Sequence, residues 1–105
     1  GMSISTFFTN DKTFIKSSDD RISIIDLSMT GLGILFKERT LIRHFKEGNL
    51  LIFTVFLPEG KTANVMCQVK NVSVLKNANF RVGCSIQNFD AIGEVNYSEY
   101  LESIS

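Results

Sequence analysis

The sequence predicts a mainly β fold: a small six-stranded antiparallel β-barrel followed by a C-terminal α-helix. Several segments alternate apolar and polar residues with the period of two that is typical of half-buried strands. These segments recur at intervals of roughly 8 to 12 residues, as in small all-β barrels and sandwiches. From Asp90 onward the apolar spacing becomes that of a helix, and 105 residues suit a single domain with one core over residues 1–105.

The N-terminal third of the chain is predicted to form a hairpin and one further strand. Residues 1–11 carry no pattern that assigns them a structure and form an N-terminal segment. Residues 12–16 favour a short strand, residues 17–20 are a polar cluster of the kind that turns a chain, and residues 21–27 favour the partner strand. Leu, Ile and Phe then alternate over residues 32–36, which predicts the next strand.

The middle of the chain combines a helical spacing with the most apolar strand. Residues 40–46 space their apolar side chains as a helix does, so either a helical turn that ends at Gly48 or a loop fits. Residues 50–57 are apolar on both parities, which is typical of a strand covered on both faces, and Pro58 ends the run.

The last third of the chain has the clearest periodicity. Residues 65–70 and residues 80–86 alternate strictly, which predicts two half-buried antiparallel strands, and the Asn-rich residues 76–79 suit a hairpin turn between them. After Asp90, a single apolar stripe at helical spacing predicts an amphipathic helix, and this stripe consists of Tyr97, Tyr100, Leu101 and Ile104.

Composition and charge exclude several function classes. The chain is 44% hydrophobic and 21% charged, as ordinary globular proteins are. Eleven Lys and Arg residues balance eleven Asp and Glu residues, so no global field favours DNA, RNA or an anionic membrane. The longest apolar run is far shorter than the roughly 20 residues that cross a bilayer. Gly1 is interpreted as a cloning scar before the native start, with no leader, and we expect a cytoplasmic protein without membrane insertion.

The residues that most often carry catalysis predict no enzyme here. Cys67 and Cys84 fall on the apolar parity of their strands, which favours reduced core thiols over a disulfide or a metal site. His44 is the one histidine of the chain, and no second ligand or carboxylate is arranged beside it. Since no nucleophile, base and orienting acid can be assembled, we expect no catalytic residue, no metal and no cofactor.

Polar chemistry concentrates between Asp26 and Gly31, where the sequence has the pattern DxSxxG. A strand would place the side chains of Asp26 and Ser28 on the same side, and Gly31 lets backbone amides approach a partner without a Cβ in the way. This pattern predicts a polar cradle for a ligand. The alternative is that Asp26 and Ser28 only cap their own turn through side-chain to backbone hydrogen bonds.

The DxSxxG segment between two predicted strands resembles the signature of PilZ domains, which are bacterial receptors for cyclic di-GMP. The order of elements agrees over about residues 12–104, with a strand ending at Asp26, a long apolar strand between Gly48 and Pro58, a late strand with a mid-strand glycine over residues 80–86, and then a helix. The resemblance implies a PilZ-like β-barrel in bacterial second-messenger signalling, with cyclic di-GMP as the candidate ligand.

In that family the DxSxxG segment contacts a guanine, and an RxxxR pair ahead of the first strand grips the phosphates. By resemblance, the ligand-binding residues here are Asp26, Ser28 and Gly31. Residues 1–11, where the pair belongs, contain no Arg and no Lys. Losing two charged hydrogen bonds costs about 3–6 kcal/mol of binding free energy, which is roughly two to four decades of affinity.

Four basic residues are candidates to replace the missing charge. Lys12 and Lys16 have the spacing of the pair, but they lie within a predicted strand and not ahead of it. Arg21 and Arg81 occupy predicted outward strand positions, where each is either a neighbour of the ligand cradle or an ordinary solvated charge. The predicted ligand-binding set therefore includes Arg21 and Arg81.

Two functions follow from these observations. The first is a PilZ-like cyclic di-GMP receptor or adaptor that acts through contact with a protein partner, with nucleotide affinity weakened or lost. The second is a PilZ-like interaction module that binds no nucleotide and contacts its partner through the terminal helix or through Phe7 and Phe8. An unrelated barrel that binds nucleic acid is disfavoured, because no basic aromatic face is evident.

Overall fold

The structure, a computed structural model, describes residues 2–4, 6–9, 14–16, 22–37 and 39–104, the first three of these ranges by their backbone. Within these residues the regular elements are, in chain order, β1 (Met2–Ile4), β2 (Thr6–Thr9), β3 (Phe14–Lys16), β4 (Ile22–Leu27), β5 (Gly31–Phe36), a 3₁₀ helix (Arg39–His44), β6 (Leu50–Phe56), a 3₁₀ turn (Pro58–Gly60), β7 (Thr62–Val74), β8 (Phe80–Phe89) and α1 (Ala91–Ile104).

The eight strands form one antiparallel sheet in the order β1-β4-β5-β8-β7-β6-β2-β3. The sheet curls on itself, so that β1 at one edge also contacts β6 near the other edge. The inner face holds one hydrophobic core, to which β5, β6, β7 and β8 each contribute alternate residues, and α1 packs against β7. The fold therefore buries one parity of each central strand and leaves the other parity to the outer face.

The helix α1 lies close to the sheet because its first turn contains a glycine, Gly93, and because Asp90 just before it forms hydrogen bonds to β7. An added Cβ on Gly93 would lie 2.9 Å from the Cα of Ala63 on β7. Asp90, just before the helix, accepts a hydrogen bond from the Asn64 N–H at its Oδ1 (2.8 Å), and its own N–H donates to the Asn64 carbonyl (3.1 Å). Tyr97 is then fully buried at 0% exposure. These contacts fix α1 to β7.

Most of the predicted elements are confirmed. The mainly β class with a C-terminal helix is present, and the predicted strands of the last third appear as β7 and β8 with Cys67 and Cys84 on their buried side. The predicted helical turn within residues 40–46 appears as the 3₁₀ helix Arg39–His44, which ends before residue 45 and not at Gly48. No helix among the described residues is both long and apolar enough to cross a membrane.

The predicted strand count and the predicted N-terminal hairpin are wrong. The described residues form eight strands instead of six, because β1 and β2 form within residues 1–11 by pairing with distant strands, β1 with β4 and β2 with β6. The strand β3 pairs with β2 and not with β4, whose two edges are taken by β1 and β5. The predicted turn at residues 17–20 lies outside the described residues.

Two predicted burial patterns are also corrected. The strand β6 is covered mainly on one face: Phe53 is fully buried at 0% exposure, whereas Phe56 on the opposite parity is 53% exposed. A run that is apolar on both parities gives no periodicity to tell the two faces apart. Ile104 was predicted on the apolar stripe of α1, but at the end of the helix it lies beyond the core and is 59% exposed.

The two faces of β6 differ in their expected contribution to stability. Phe53→Ala removes a fully buried ring and is expected to lower the free energy of unfolding by about 3–5 kcal/mol, because the lost transfer term adds to the cost of a cavity. Phe56→Ala is the matched control on the same strand, with an expected loss of less than about 1 kcal/mol. Urea denaturation measures both, and equal losses would contradict the assignment of the inner face.

The two cysteines are free, buried and on neighbouring strands. Cys67 pairs with Ile86 and Cys84 with Val69, so the two thiols are diagonal neighbours on the inner face. Burial raises the pKa of the Cys84 thiol from 9.0 to about 12. Burial, together with the adjacent Cys84, raises the pKa of Cys67 further. Both thiols therefore remain protonated in the folded protein well above neutral pH.

These shifts predict that stability falls at alkaline pH. The thiols of the unfolded chain ionise near pH 9 while the folded thiols do not, so the stability that they contribute is complete below pH 9 and is lost as the pH rises toward 12. Between about pH 8 and about pH 10, each buried thiol lowers the free energy of unfolding by about 1.4 kcal/mol. Urea denaturation at both pH values measures this decrease. The free energy of unfolding of Cys84→Ala should decrease by about 1.4 kcal/mol less than that of the wild type, and an identical decrease would contradict the raised pKa of Cys84.

Candidate ligand-binding groove

The bend between β4 and β5 carries the predicted cradle. The Ser28 hydroxyl accepts hydrogen bonds from the backbone N–H groups of Gly31 (3.1 Å) and Thr30 (3.3 Å), and the Ser28 N–H donates to the Gly31 carbonyl (3.0 Å). Ser28 therefore closes its own turn, as one reading of the sequence predicts. Asp26, Ser28 and Thr30 are nevertheless exposed, so the bend presents its polar groups to solvent as well.

A row of residues crosses four strands next to this bend. Asp26 on β4 is opposite Gly33 on β5, Gly33 is opposite Gly83 on β8, and Gly83 is opposite Asn71 on β7. The two glycines are flanked closely on either side. A Cβ on Gly33 would lie 2.9 Å from Asp26 Oδ2, and one on Gly83 would lie 2.8 Å from Asn71 Oδ1. The Asp26 carboxylate and the Asn71 amide therefore lie over the two glycines, in space that a Cβ would take.

Arg81 joins this row through an ion pair. It is opposite Leu35 on β5, on the outward parity of β8, and its Nη2 donates to Asp26 Oδ2. The Arg81 and Asp26 side chains are 47% and 63% exposed, so water still reaches both charged groups. A pair this exposed contributes little to folding, which leaves both groups free to exchange partners.

These residues line one open groove of about 370 Å³ on the outer face of the sheet. Its second basic group is Lys70, which lies at a β-bulge in β7 between Val69 and Asn71 and donates from Nζ to Gln68 Oε1 (2.9 Å). Two cationic side chains and one carboxylate thus face the groove. Its lining consists of Asp26, Ser28, Thr30, Gly31, Leu32, Gly33, Lys70, Asn71, Arg81, Gly83, Cys84 and Ser85.

The bend is also tied to the body of the protein from beneath. The buried Tyr97 hydroxyl of α1 donates to the Ser28 carbonyl (2.7 Å), and the Ile86 N–H of β8 donates to the Thr30 carbonyl (2.8 Å). Burial raises the pKa of Tyr97 well above its ordinary value, although the hydrogen bond to Ser28 opposes the rise. The phenol is therefore a neutral donor at physiological pH.

The structure brings most of the predicted site together. Asp26, Ser28, Gly31 and Arg81 line the same groove. Arg21 and Lys12 lie outside the described residues, and Lys16 is described only by its backbone in β3.

Several groove residues were missed by the sequence reasoning. Asn71 follows the inward parity of Cys67 and Val69 and reaches the groove because the bulge in β7 shifts the register there, whereas Lys70 already lies on the outward parity. Gly33 and Gly83 carry a detectable signal, because each occupies the polar parity of an alternating strand and so indicates an open outer face. No group of three or more His, Cys, Asp or Glu side chains in the described part of the chain is placed to hold a metal ion.

Together, the barrel, the terminal helix and the groove define a class: a small antiparallel β-barrel with a C-terminal helix and a polar groove on the outside of its sheet. The family model described as PilZ domain matches residues 6–103. The chain belongs to the PilZ domain family, and the predicted PilZ-like signalling module is confirmed at that level. PilZ domains are receptor and adaptor modules.

The fold is also similar to that of a solved protein. MrkH of K. pneumonia, determined in its apo state, superposes with a TM-score of 0.69 at 16% sequence identity. The match covers 97% of this chain and 45% of the MrkH chain, so this chain spans less than half the length of that protein. At this identity the likeness shows the fold. No curated protein matches the sequence.

The ion pair between Asp26 and Arg81 is expected to matter little for folding. Asp26→Asn and Arg81→Gln should each change the free energy of unfolding by less than about 1 kcal/mol, because both side chains are largely solvated in the folded protein. Urea denaturation of the two variants and of the double variant measures the coupling between them. A coupling free energy above about 2 kcal/mol between the two substitutions would show that the ion pair stabilises the fold and would contradict this expectation.

Proposed function

We propose that this PilZ domain binds cyclic di-GMP in the outer groove and acts through contact with a protein partner. The observation that supports it best is that Asp26, Ser28, Gly31 and Arg81 line the same open groove on the outer face of the sheet. The family resemblance assigns Asp26, Ser28 and Gly31 to the ligand. From the sequence, Arg81 is either a neighbour of the cradle or a solvated charge, and its side chain lies beside Asp26. The two buried free thiols suit a reducing compartment, and we propose a cytoplasmic location.

The groove offers complementary groups to a guanine base. A carboxylate is an acceptor with two oxygens, and Asp26 is placed to accept from the N–H groups of the base. An Arg guanidinium donates two parallel hydrogen bonds to guanine O6 and N7 or to phosphate oxygens, and Arg81 lies beside Asp26. The side chains of Asp26 and Asn71 lie over Gly33 and Gly83, so a ring in the groove would meet these polar groups and not bare backbone.

When the ligand binds, Arg81 and Asp26 give up the ion pair between them and form hydrogen bonds to the ligand instead. This exchange is inexpensive because the pair is exposed and contributes about 0–1 kcal/mol. Lys70 and Arg81 return part of the charge that the absent RxxxR pair would supply, at about 1.5–3 kcal/mol for each charged hydrogen bond. We therefore expect weakened binding of the nucleotide instead of complete loss of binding.

Isothermal titration of the protein at about 100 µM with cyclic di-GMP tests this proposal. Asp26→Ala and Arg81→Ala should each weaken binding by at least about tenfold, because each removes a charged hydrogen bond to the ligand. Arg39→Ala is the matched control, since it removes the same charge from an exposed arginine of the 3₁₀ helix Arg39–His44, outside the groove.

Three results are possible and each is decisive. Binding that weakens in the groove variants and not in Arg39→Ala supports the proposal. Equal weakening in Arg81→Ala and Arg39→Ala would indicate a non-specific charge effect and contradict the site. Absence of heat from the wild type at all ligand concentrations would overturn nucleotide binding.

That last result would support the alternative, a PilZ-like module that binds a protein and no nucleotide. Two observations favour it. The N-terminal segment lacks the basic pair, and α1 exposes the apolar side chains of Ile92, Val95 and Ile104. In that case the terminal helix is the proposed contact surface for the partner.

A further inference from the structure

We infer that Tyr97 is a positioning residue for the ligand, because its hydroxyl holds the Ser28 peptide of the bend. Through this hydrogen bond, nucleotide binding is coupled to α1. The inference rests on the proposed function for its ligand. It assigns a role to a buried polar side chain that lines no part of the groove.

All the backbone and side-chain polar groups of Ser28 have partners. Its N–H donates to the Gly31 carbonyl, and its hydroxyl accepts from the N–H groups of Thr30 and Gly31, so these contacts stay within the bend. Its carbonyl alone is directed to a distant element and accepts from Tyr97 Oη at 2.7 Å. That hydrogen bond therefore sets how the peptide after Ser28 is oriented relative to the core.

Tyr97 is held firmly enough to act as a reference point. The side chain is completely buried, and its ring packs against Phe89 with the two centroids 5.0 Å apart. Its helix is fixed to β7 through Asp90 and Asn64 and through the close approach of Gly93 to Ala63. A displacement of the bend would thus be transmitted to α1, and a shift of α1 would be transmitted to the bend.

The energetics favour retention of this contact in the folded protein. A buried phenol that loses its partner keeps its desolvation cost. Because the phenol is a neutral donor, the contact does not change with pH in the physiological range. The bend is then preorganised, and a ligand does not have to order it on binding.

The first test needs no ligand. In Tyr97→Phe, hydrogen exchange of the Ser28 and Gly31 amides, measured by NMR, should accelerate about 3- to 10-fold, which corresponds to the loss of one hydrogen bond. Tyr100→Phe is the matched control, because it removes the same hydroxyl from a partly buried tyrosine one turn further along α1. Unchanged exchange in Tyr97→Phe would overturn the positioning role whether or not a nucleotide binds.

The second test is the affinity for cyclic di-GMP. Tyr97→Phe should bind about 3- to 10-fold more weakly than the wild type, and Tyr100→Phe should bind equally well. Faster exchange in the bend with unchanged affinity would overturn the coupling to the ligand. A wild type that binds no nucleotide is a failure of the proposed function, and the exchange measurement still decides whether Tyr97 positions the bend.

A third measurement uses the unmutated chain and covers the case in which Tyr97→Phe does not fold. The chain has two tyrosines, so protein labelled with 3-fluorotyrosine gives two fluorine resonances, which Tyr100→Phe assigns. Addition of cyclic di-GMP should shift the Tyr97 resonance and leave that of Tyr100 in place. A saturated complex with no shift at Tyr97 would overturn the coupling.

Discussion

Burial of a single parity in the central strands is the constraint on which the rest of the structure depends. Because successive side chains in a strand point to opposite faces, placing Leu32 and Ile34 in the core commits Gly33 to the outside of β5. The same rule places Val82 and Cys84 inside and Gly83 outside on β8. The hydrophobic core thus determines which residues are available to build the groove.

Much of this arrangement was predictable, since alternation is a local property of the sequence. The buried parity of β7 and β8 follows from residues 65–70 and 80–86, and the convergence of Asp26 with Ser28 and Gly31 follows from one six-residue pattern. What could not be predicted depends on register between distant segments. Arg81 meets Asp26 across the intervening strand β5, and no spacing in the sequence specifies that approach.

The remaining differences have the same origin. The strands β1 and β2 exist through pairing with β4 and β6, so their stability comes from partners that local propensity does not contain. Asn71 reaches the groove through a bulge that shifts the pairing of β7 with β8, and one residue of shift changes which face a side chain occupies. Non-local pairing therefore limits prediction of both the fold and the site.

The contacts around the groove divide into two kinds with different physical roles. The exposed pair between Arg81 and Asp26 is weakly stabilising, so it can open at little cost when a ligand competes for it. The contact between Tyr97 and Ser28 is expensive to break, because the buried Tyr97 hydroxyl has no access to water in its place. A site that combines labile outer groups with a rigid backbone beneath them allows its charges to rearrange without losing the shape of the bend. Because the rigid part is anchored in α1, the packing of the terminal helix and the geometry of the groove cannot vary independently.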